Sequence, residues 1–311
     1  MSKIAFLYPG QGAQTVGMGK DFYEQSALAK SAYEESAKIL DMDIQSICFE
    51  ENDLLNRTDY TQAALVTTCL AMTREIEAQG LKPDMTAGLS LGEYCAIVTA
   101  GGMSYEDAVK TIWKRGCLMH NAVPDGSGGM AAVLGLSGDQ VKAVTDGVEN
   151  VSVANYNCPG QIVITGEKDA IEAVTPALKE AGAKRVLPLN VSGPFHSPFL
   201  KEAGEELYET LEKVDWKPLS IPYVTNVNAE VITDISKTKD LLRAQVSSSV
   251  MWEQSIRRMI AEGVDIFVEI GPGKTLSGFM RKIDRSVNMF KIGSMEEMHT
   301  VVEKIKELTG C

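Results

Sequence analysis

Short apolar runs with strand character alternate with longer segments of helical periodicity along most of this 311-residue chain. KIAFLY at 3–8, DMTAGLS at 84–90 and DIFVEIG at 265–271 are three of the apolar runs. TQAALVTTCLAMTREIEAQG at 61–80 is typical of the helical segments between them. Strands that alternate with helices favour crossover connections and a sheet covered on both faces. The sequence therefore predicts an α/β fold with a mainly parallel sheet.

A different element order follows the glycine-rich segment PDGSGG at 124–129. From about 128 to 190, the pattern predicts strand, helix, strand, strand, helix and strand, which is the ferredoxin-like βαββαβ order. We therefore expect a small subdomain at 127–191, inserted into a large domain formed by 1–126 and 192–311. The alternative is that these six elements extend the main sheet.

Composition and charge exclude several classes of protein. The formal net charge is -12, which disfavours nucleic-acid binding. No apolar run approaches the roughly 18 residues that span a bilayer, and the first run ends at Pro9-Gly10, too early for a signal-peptide core. We expect no membrane association and a cytoplasmic location.

The cysteines are scattered along the chain and favour free thiols. They are Cys48, Cys69, Cys95, Cys117, Cys158 and Cys311. No C-x-x-C pair occurs, and no histidine cluster lies near them. The sequence therefore predicts neither a zinc site nor a disulfide framework, and it suits a reducing compartment.

The segment AGLSLGEYCA at 87–96 places Ser90 between Gly88 and Gly92 in a G-x-S-x-G pattern. A predicted strand ends here and a predicted helix begins, which is the setting of a nucleophile elbow. The backbone amide of Leu91 would then point from a helix N-terminus towards a developing oxyanion. The alternative is a structural serine between two glycines.

A nucleophilic serine needs a base, and the chain has three histidines. His120 and His299 fall within predicted helices, where a surface or packing role is the simpler interpretation. His196 lies in the segment SGPFHSPF, flanked by two prolines. Catalytic residues concentrate on loops held by a scaffold. We therefore predict that His196 is the base.

The first strand ends in the glycine-rich segment PGQGAQ at 9–14. Ligands of parallel sheets bind at the carboxyl ends of the strands, so the backbone amide of Gln11 is a candidate second oxyanion donor. The loop could instead cradle a phosphate. However, it is not G-x-G-x-x-G, and it lacks the lysine of a P-loop.

Five motifs in this order, PGQGAQ, GLSLGEYCA, WKRG, GPFHSP and EIGPGKTLSG, resemble the malonyl-CoA:acyl carrier protein transacylase family over essentially the whole chain. The resemblance implies a large hydrolase-like α/β domain with an inserted ferredoxin-like subdomain. It also implies an acyltransferase that holds malonyl as a serine ester and passes it to the phosphopantetheine thiol of acyl carrier protein, without a cofactor or metal. A free-standing chain fits a dissociated fatty-acid pathway.

The resemblance also assigns roles to residues. Ser90 corresponds to the nucleophile and His196 to the base, while Gln11 and Leu91 correspond to the oxyanion amides. Arg115 is similar to the arginine that pairs with the malonyl carboxylate; a guanidinium can bind a carboxylate bidentately and keeps its proton. Without the motif, Arg115 would be read as a solvated helix charge.

The remaining expected site residues surround this group. Gln245 aligns with the residue whose backbone carbonyl orients the histidine in place of a triad acid. Phe195 resembles the malonyl-type signature, and its bulk would disfavour an α-methyl group. The residues expected to line the pocket are Gln62, Asn155 and Asn157.

The implied partners are malonyl-CoA and acyl carrier protein, and we expect a monomer. Acyl carrier proteins are acidic, so docking would need a local basic patch. The hypothesis for this patch, or for the CoA phosphates, is the late cluster Lys274, Arg281, Lys282 and Arg285. An ordinary charged helix face is the alternative.

Three rival functions remain at this stage. A serine lipase or thioesterase normally has its histidine late in the chain and an HGGG-like loop, and neither is present. A patatin-type Ser-Asp hydrolase would want a D-G-G or D-G-A motif, and the closest match is Asp125-Gly126-Ser127. A non-catalytic binding subunit would be expected to have lost Ser90 or His196.

Overall fold

The computed structural model describes residues 2–124, 126–191 and 193–310. The outer limits of the predicted large domain at 1 and 311, its predicted resumption at 192, Cys311 and Asp125 of the Asp125-Gly126-Ser127 motif lie outside the described residues. The strands are β1 (Lys3–Tyr8), β2 (Met85–Gly88), β3 (Gly128–Leu134), β4 (Val151–Cys158), β5 (Gln161–Glu167), β6 (Arg185–Pro188), β7 (Tyr223–Val224), β8 (Val231–Ile232), β9 (Val264–Ile270) and β10 (Asn288–Ile292).

Helices separate most of the strands. They are α1 (Lys20–Gln25), α2 (Ala27–Leu40), α3 (Ile44–Phe49), α4 (Thr58–Ala78), α5 (Gly92–Thr99), α6 (Tyr105–Asn121), α7 (Gly138–Thr145), α8 (Lys168–Glu180), α9 (Lys201–Leu211), α10 (Thr238–Gln245), α11 (Trp252–Ala261), α12 (Thr275–Ile283) and α13 (Met295–Thr309). Short 3₁₀ helices cover Pro198–Leu200 and Ile235–Lys237.

The larger sheet has the strand order β10-β9-β1-β2-β7-β8. Its neighbours pair in parallel, except that β8 runs antiparallel to β7. The prediction of an α/β fold with a mainly parallel sheet is therefore confirmed. Since β1 and β2 end together at the Tyr8–Gly88 pair, the glycine-rich loop after β1 and the G-x-S-x-G turn after β2 meet at one edge.

The second sheet is antiparallel and has the order β4-β5-β3-β6. Its elements follow one another as β3, α7, β4, β5, α8 and β6, which is the predicted succession. The two helices cover the sheet and give it a hydrophobic core of its own, which includes Val133, Val141, Ile164, Val174 and Leu178.

Strand β4 of the antiparallel sheet is hydrogen-bonded to the segment before α11. The backbone amide of Tyr156 donates to the carbonyl of Val250 at 2.9 Å, and the amide of Val250 donates to the carbonyl of Ala154 at 2.7 Å. The Ser249 hydroxyl adds a bond of 2.6 Å to the carbonyl of Val153. These bonds hold β4 over the edge where β1 and β2 end.

The helix bounds differ little from the pattern-based map. Helix α4 begins at Thr58, three residues before the predicted start at 61, and α5 ends at Thr99, next to the Gly101-Gly102 pair. Gly101 adopts a φ of 83°, so the helix cannot continue through it. Helix α3 and strand β8 have only six and two residues, too few for periodicity to indicate them.

We predict that Gly88→Ala destabilises the protein by about 1–3 kcal/mol, because overpacking forces the backbone to shift. A β-carbon on Gly88 would lie 1.9 Å from the carbonyl carbon of Gly92. The measurement is the free energy of unfolding in urea. Gly278→Ala is the matched control, since nothing lies within 4 Å of its added β-carbon and helix propensity favours alanine. Equal stability of Gly88→Ala and the wild-type protein would contradict the packing described here.

Candidate active site

The turn between β2 and α5 forces Ser90 into an uncommon backbone conformation with a φ of 56°. The turn is tight enough that Gly88 packs directly on the backbone of Gly92. Gly92 in turn packs against β1, where an added β-carbon would lie 2.4 Å from the carbonyl oxygen of Tyr8. Both flanking glycines are therefore required by close approach, and the Ser90 side chain is turned out at the sheet edge.

Hydrogen bonds tie this turn to the strands on either side. The amide of Leu89 donates to the carbonyl of Tyr8 on β1 at 2.9 Å. On the other side, the amide of Ser90 donates to Oδ1 of Asn226 at 2.6 Å, and Nδ2 of Asn226 donates to the carbonyl of Gly88 at 2.7 Å. The backbone on both sides of the Ser90 side chain is thus held by neighbours.

His196 lies next to Ser90, with its Nε2 atom 2.8 Å from the serine Oγ. The other ring nitrogen, Nδ1, lies 2.9 Å from the backbone carbonyl of Gln245. A carbonyl only accepts hydrogen bonds, so the neutral ring carries its proton on Nδ1 and leaves Nε2 free to accept from the serine hydroxyl. Burial, with the positive charge of Arg115 as a second cause, lowers the pKa of His196 to about 4. The imidazole is therefore neutral at physiological pH.

Arg115 of α6 is a fully buried arginine whose guanidinium reaches the serine. Its Nη1 donates to Oε1 of Gln62 at 2.6 Å, and its Nη2 donates to Oε1 of Gln245 at 2.9 Å and to the Ser90 Oγ at 3.1 Å. Within the described part of the chain, no carboxylate forms an ion pair with it, and its Nε has no hydrogen-bond partner. Burial lowers the pKa of Arg115, but a guanidinium remains charged. A buried cation without an ion-pair partner makes this place suited to an anion.

Gln245 connects several parts of the site. Its backbone carbonyl accepts a hydrogen bond from Nδ1 of His196, and its Oε1 accepts one from Nη2 of Arg115. Its Nε2 donates to the carbonyl of Ser90 at 3.0 Å and to Oε2 of Glu93 at 2.6 Å. Glu93 is fully buried, and burial raises the pKa of this carboxyl to about 7. One side-chain amide thus bridges the carboxyl of Glu93 and the guanidinium of Arg115.

A cavity of about 200 Å³ opens beside the serine and the histidine. Eight of the ten predicted site residues line it: Gln11, Gln62, Ser90, Leu91, Asn155, Asn157, Phe195 and His196. The other two, Arg115 and Gln245, lie behind Ser90 and contact it by hydrogen bonds. The structure therefore brings all ten predicted residues together.

The two asparagines enter the cavity from β4 of the antiparallel sheet. Both are largely buried, and Oδ1 of Asn157 has no hydrogen-bond partner among the described residues. A buried amide oxygen without a partner is costly unless a ligand or water donates to it. Asn157 is therefore a candidate contact for a hydrogen-bond donor of the substrate.

Other candidates from the sequence lie away from the cavity. His120 and His299 are on α6 and α13 and do not line it. The four basic residues of the late cluster are exposed, and they lie on α12 or next to it. The same helix contributes Leu276 and Phe279 to the wall of the cavity, so the cluster adjoins cavity-lining residues in the sequence.

The described residues also bear on other classes of site. They contain no group of three or more histidine, cysteine or acidic side chains placed to hold a metal ion. Across residues 2–124, 126–191 and 193–310, no helix is long and apolar enough to cross a bilayer. The cysteines in these ranges are free thiols.

Sequence reasoning missed Glu93 and Asn226, both of which contact the serine turn or its neighbours. Glu93 follows Ser90 by three residues and lies in the first turn of α5, and this spacing could have indicated it. Asn226 lies 136 residues from Ser90 along the chain and contacts it only because β7 pairs with β2. Nothing in the local sequence indicates that contact.

Comparisons with known proteins place the chain in a family. Residues 5–306 match the family model of the acyl transferase domain. The malonyl CoA-acyl carrier protein transacylase of Bacillus subtilis is 46% identical over 312 residues, which cover 99% of this chain and 98% of that protein. The crystal structure of malonyl CoA-acyl carrier protein transacylase from Clostridium perfringens has a TM-score of 0.95 at 39% identity and covers 99% of this chain and 98% of that one.

A further solved structure contains a malonyl-transacylase in complex with a type II PKS acyl-carrier protein. It has a TM-score of 0.94 at 33% identity and covers 97% of this chain and 100% of that one. The family model and the curated relative both span nearly the whole chain. This chain therefore belongs to the acyl transferase domain family, whose enzymes are acyltransferases.

Proposed function

We propose that this protein transfers the malonyl group of malonyl-CoA to the phosphopantetheine thiol of acyl carrier protein through a malonyl ester of Ser90. The names of the relatives support the substrates. The observation that carries the proposal is the buried guanidinium of Arg115, 3.1 Å from the Ser90 hydroxyl and without an ion-pair partner in the described structure. A short acyl group that ends in a carboxylate supplies the missing anion.

In the first half-reaction, Oγ of Ser90 attacks the thioester carbonyl while its proton passes to Nε2 of His196. The carbonyl of Gln245 stabilises the imidazolium through Nδ1, as a triad acid would. The backbone amides of Gln11 and Leu91 stabilise the tetrahedral oxyanion. The carbon–sulfur bond then breaks, and the CoA thiolate takes the proton from His196.

The second half-reaction reverses these steps with a different thiol. The phosphopantetheine thiol of the carrier gives its proton to Nε2 of His196, and its sulfur attacks the malonyl ester. The ester bond to Ser90 breaks, and Oγ takes the proton back. Since one site serves both thiols in turn, the kinetics are of the ping-pong type.

The cavity wall supports selection of a malonyl group. Arg115 binds the carboxylate, and Gln62 fixes one end of the guanidinium. Phe195 is 5% exposed and fills the wall where an α-methyl group would have to fit, so we infer that methylmalonyl is disfavoured. Asn155 and Asn157 are positioned to contact the substrate.

We also propose that the chain has two domains. Residues 1–126 and 192–311 would form the hydrolase-like domain, and 127–191 the ferredoxin-like subdomain. The strand order β4-β5-β3-β6 and the separate core of the second sheet support this division. We further propose that the protein is a cytoplasmic monomer. It needs no cofactor, because the residues named above supply all the groups that these steps require.

The direct test uses radiolabelled malonyl-CoA followed by holo acyl carrier protein. We expect label on the wild-type protein, no label on Ser90→Ala, and movement of the label to the carrier. Release of free malonate alone would instead favour a thioesterase. A wild-type protein that takes no label would favour a non-catalytic binding subunit.

Arg115→Ala is expected to lower kcat/KM for malonyl-CoA by about 10²-fold or more, because a buried charge pair is truncated. Acetyl-CoA has no carboxylate, so acylation by acetyl-CoA should be unchanged or increased. Lys110→Ala on the same helix is the control, since Lys110 is exposed and forms an ion pair with Glu106. Equal losses with both acyl donors would contradict a carboxylate-binding role.

The pH dependence of Ser90 acylation should reflect the lowered pKa of His196. The base acts only when neutral, so kcat/KM for the free enzyme should rise through about pH 4 and be level above about pH 6. Because Arg115 contributes to the shift, Arg115→Ala should move this limb to higher pH. The profile is obtained by measuring the rate at which Ser90 reacts with a fluorophosphonate from about pH 3.5 to about pH 8, a range that includes the ordinary pKa of histidine. A midpoint near the unperturbed value of about 6.5 would contradict the assignment.

The basic cluster gives a prediction about docking. Reversing both charges in Arg281→Glu/Lys282→Glu should raise KM for acyl carrier protein by about tenfold and weaken its salt dependence, because charges at the rim steer association. The control is Lys30→Glu/Lys38→Glu on α2, whose residues do not line the cavity. Unchanged kinetics of transfer to the carrier would reject the docking hypothesis.

A further inference from the structure

Asn226 is a fully buried residue that lies just past the end of β7. Strand β7 pairs in parallel with β2 through Thr86–Tyr223 and Ala87–Val224. Beyond these pairs, the chain after β2 turns away from the sheet, so its backbone groups leave the regular ladder. The Asn226 side chain takes the place of the ladder, since its Nδ2 donates to the carbonyl of Gly88 and its Oδ1 accepts from the amide of Ser90.

The backbone of Asn226 is itself fixed from two directions. Its amide donates to Oε2 of Glu93 at 3.2 Å, and its carbonyl accepts from the amide of Met251 at 2.8 Å. Glu93 belongs to α5, the helix that begins at the serine turn, and Met251 immediately precedes α11. The backbone of Asn226 is thus held by α5 and by the residue before α11, while its side chain is hydrogen-bonded to the serine turn.

We propose that Asn226 is a positioning residue that holds Ser90 in its positive-φ conformation, and therefore holds its hydroxyl between His196 and Arg115. This inference rests on the proposed function, in which Ser90 is the nucleophile. Asn226 does not line the cavity and acts only through the backbone of the turn.

The chemistry of the carboxamide explains why asparagine occupies this position. The turn presents one acceptor, the carbonyl of Gly88, and one donor, the amide of Ser90. A carboxamide supplies one donor and one acceptor in a plane, as a peptide group does. An ionised carboxylate supplies acceptors only and would face the Gly88 carbonyl with an oxygen. A protonated carboxyl supplies both again.

Asn226→Asp therefore makes the hydrogen bonds between residue 226 and the serine turn pH-dependent. Burial and the carboxyl of Glu93 both raise the pKa of an introduced carboxyl. Among the described residues, the charged and titratable groups around it are Glu93 on α5, Arg115 on α6 beyond Gln245, His196 beyond Ser90, and Tyr223 on β7. Burial, with Glu93 as a second cause, raises the pKa of Tyr223. The variant should acylate at the acid end of the range in which His196 is neutral and lose activity as the pH rises, while the wild-type rate stays level.

Asn226→Ala removes both bonds at every pH. We expect the maximal rate of acylation at saturating malonyl-CoA to fall about 10²-fold, the scale of a misplacement of the reacting atom by about 1 Å. The KM for malonyl-CoA should remain within about twofold, because Arg115 and the cavity wall are intact. Malonyl-CoA and acetyl-CoA should be affected equally, in contrast to the effect of Arg115→Ala.

Ser36→Ala is the matched control for a general loss of stability. Ser36 is fully buried on α2, and its hydroxyl bonds to the hydroxyls of Thr67 and Tyr105 at 2.8 Å each, away from the cavity. This variant should lower the melting temperature with no change in acylation. Kinetic losses in Asn226→Ala that Ser36→Ala reproduces at the same stability would overturn the proposal.

The reaction of Ser90 with a small fluorophosphonate separates this inference from the proposed function. It needs a correctly placed serine and histidine but no malonyl specificity. Slow labelling of Asn226→Ala, and labelling of Asn226→Asp that declines as the pH rises, would support the positioning role of Asn226 even if malonyl transfer failed. Wild-type labelling rates in both variants, or a pH profile of Asn226→Asp that parallels the wild type, would overturn it. If Asn226→Ala does not fold, the profile of Asn226→Asp decides alone.

Discussion

The turn at Ser90 is the constraint on which the rest of the site depends. Its positive φ is disfavoured for any residue with a side chain, by about 1–3 kcal/mol, and persists only where neighbours over-determine it. Here β1 and the Asn226 side chain hold the turn from its two sides. Because Gly92 packs directly on β1, the start of α5 and the loop after β1 are fixed relative to one another. The serine hydroxyl, the two candidate oxyanion amides and the candidate base, His196, meet at one edge of the sheet.

Electrostatics determine what such a turn can select. Arg115 is buried, and the amide of Gln245 links it to the carboxyl of Glu93, whose pKa burial raises to about 7. A buried cation with incomplete compensation favours an anionic acyl group over a neutral one. The same Gln245 orients His196 through its carbonyl. Under the proposed function, acyl selection and activation of the serine would therefore be coupled through Gln245, and the triad would need no acidic residue.

The sequence predicted much of this arrangement, for identifiable reasons. The strand–turn–helix pattern around Ser90 and the proline-flanked loop of His196 are local signals, and the ordered motifs of the acyltransferases added Arg115 and Gln245. Asn226 could not be predicted, because its contact with Ser90 exists only through the pairing of β7 with β2. Short elements such as α3 and β8 were missed because six or two residues carry no measurable period. The burial of Arg115 could not be predicted either, because the pattern of an amphipathic helix predicts a solvent-exposed arginine and only tertiary packing buries it.

The central claim is that Ser90 carries the acyl group as an ester, and peptide mapping by mass spectrometry tests it most directly. The protein would be incubated with malonyl-CoA alone, quenched in acid and digested, and the modified residue would be located by fragmentation. The account predicts one malonyl group, on Ser90, which disappears from the peptide after holo acyl carrier protein is added. A malonyl group on a cysteine such as Cys117, or an unmodified Ser90 at full turnover, would contradict it.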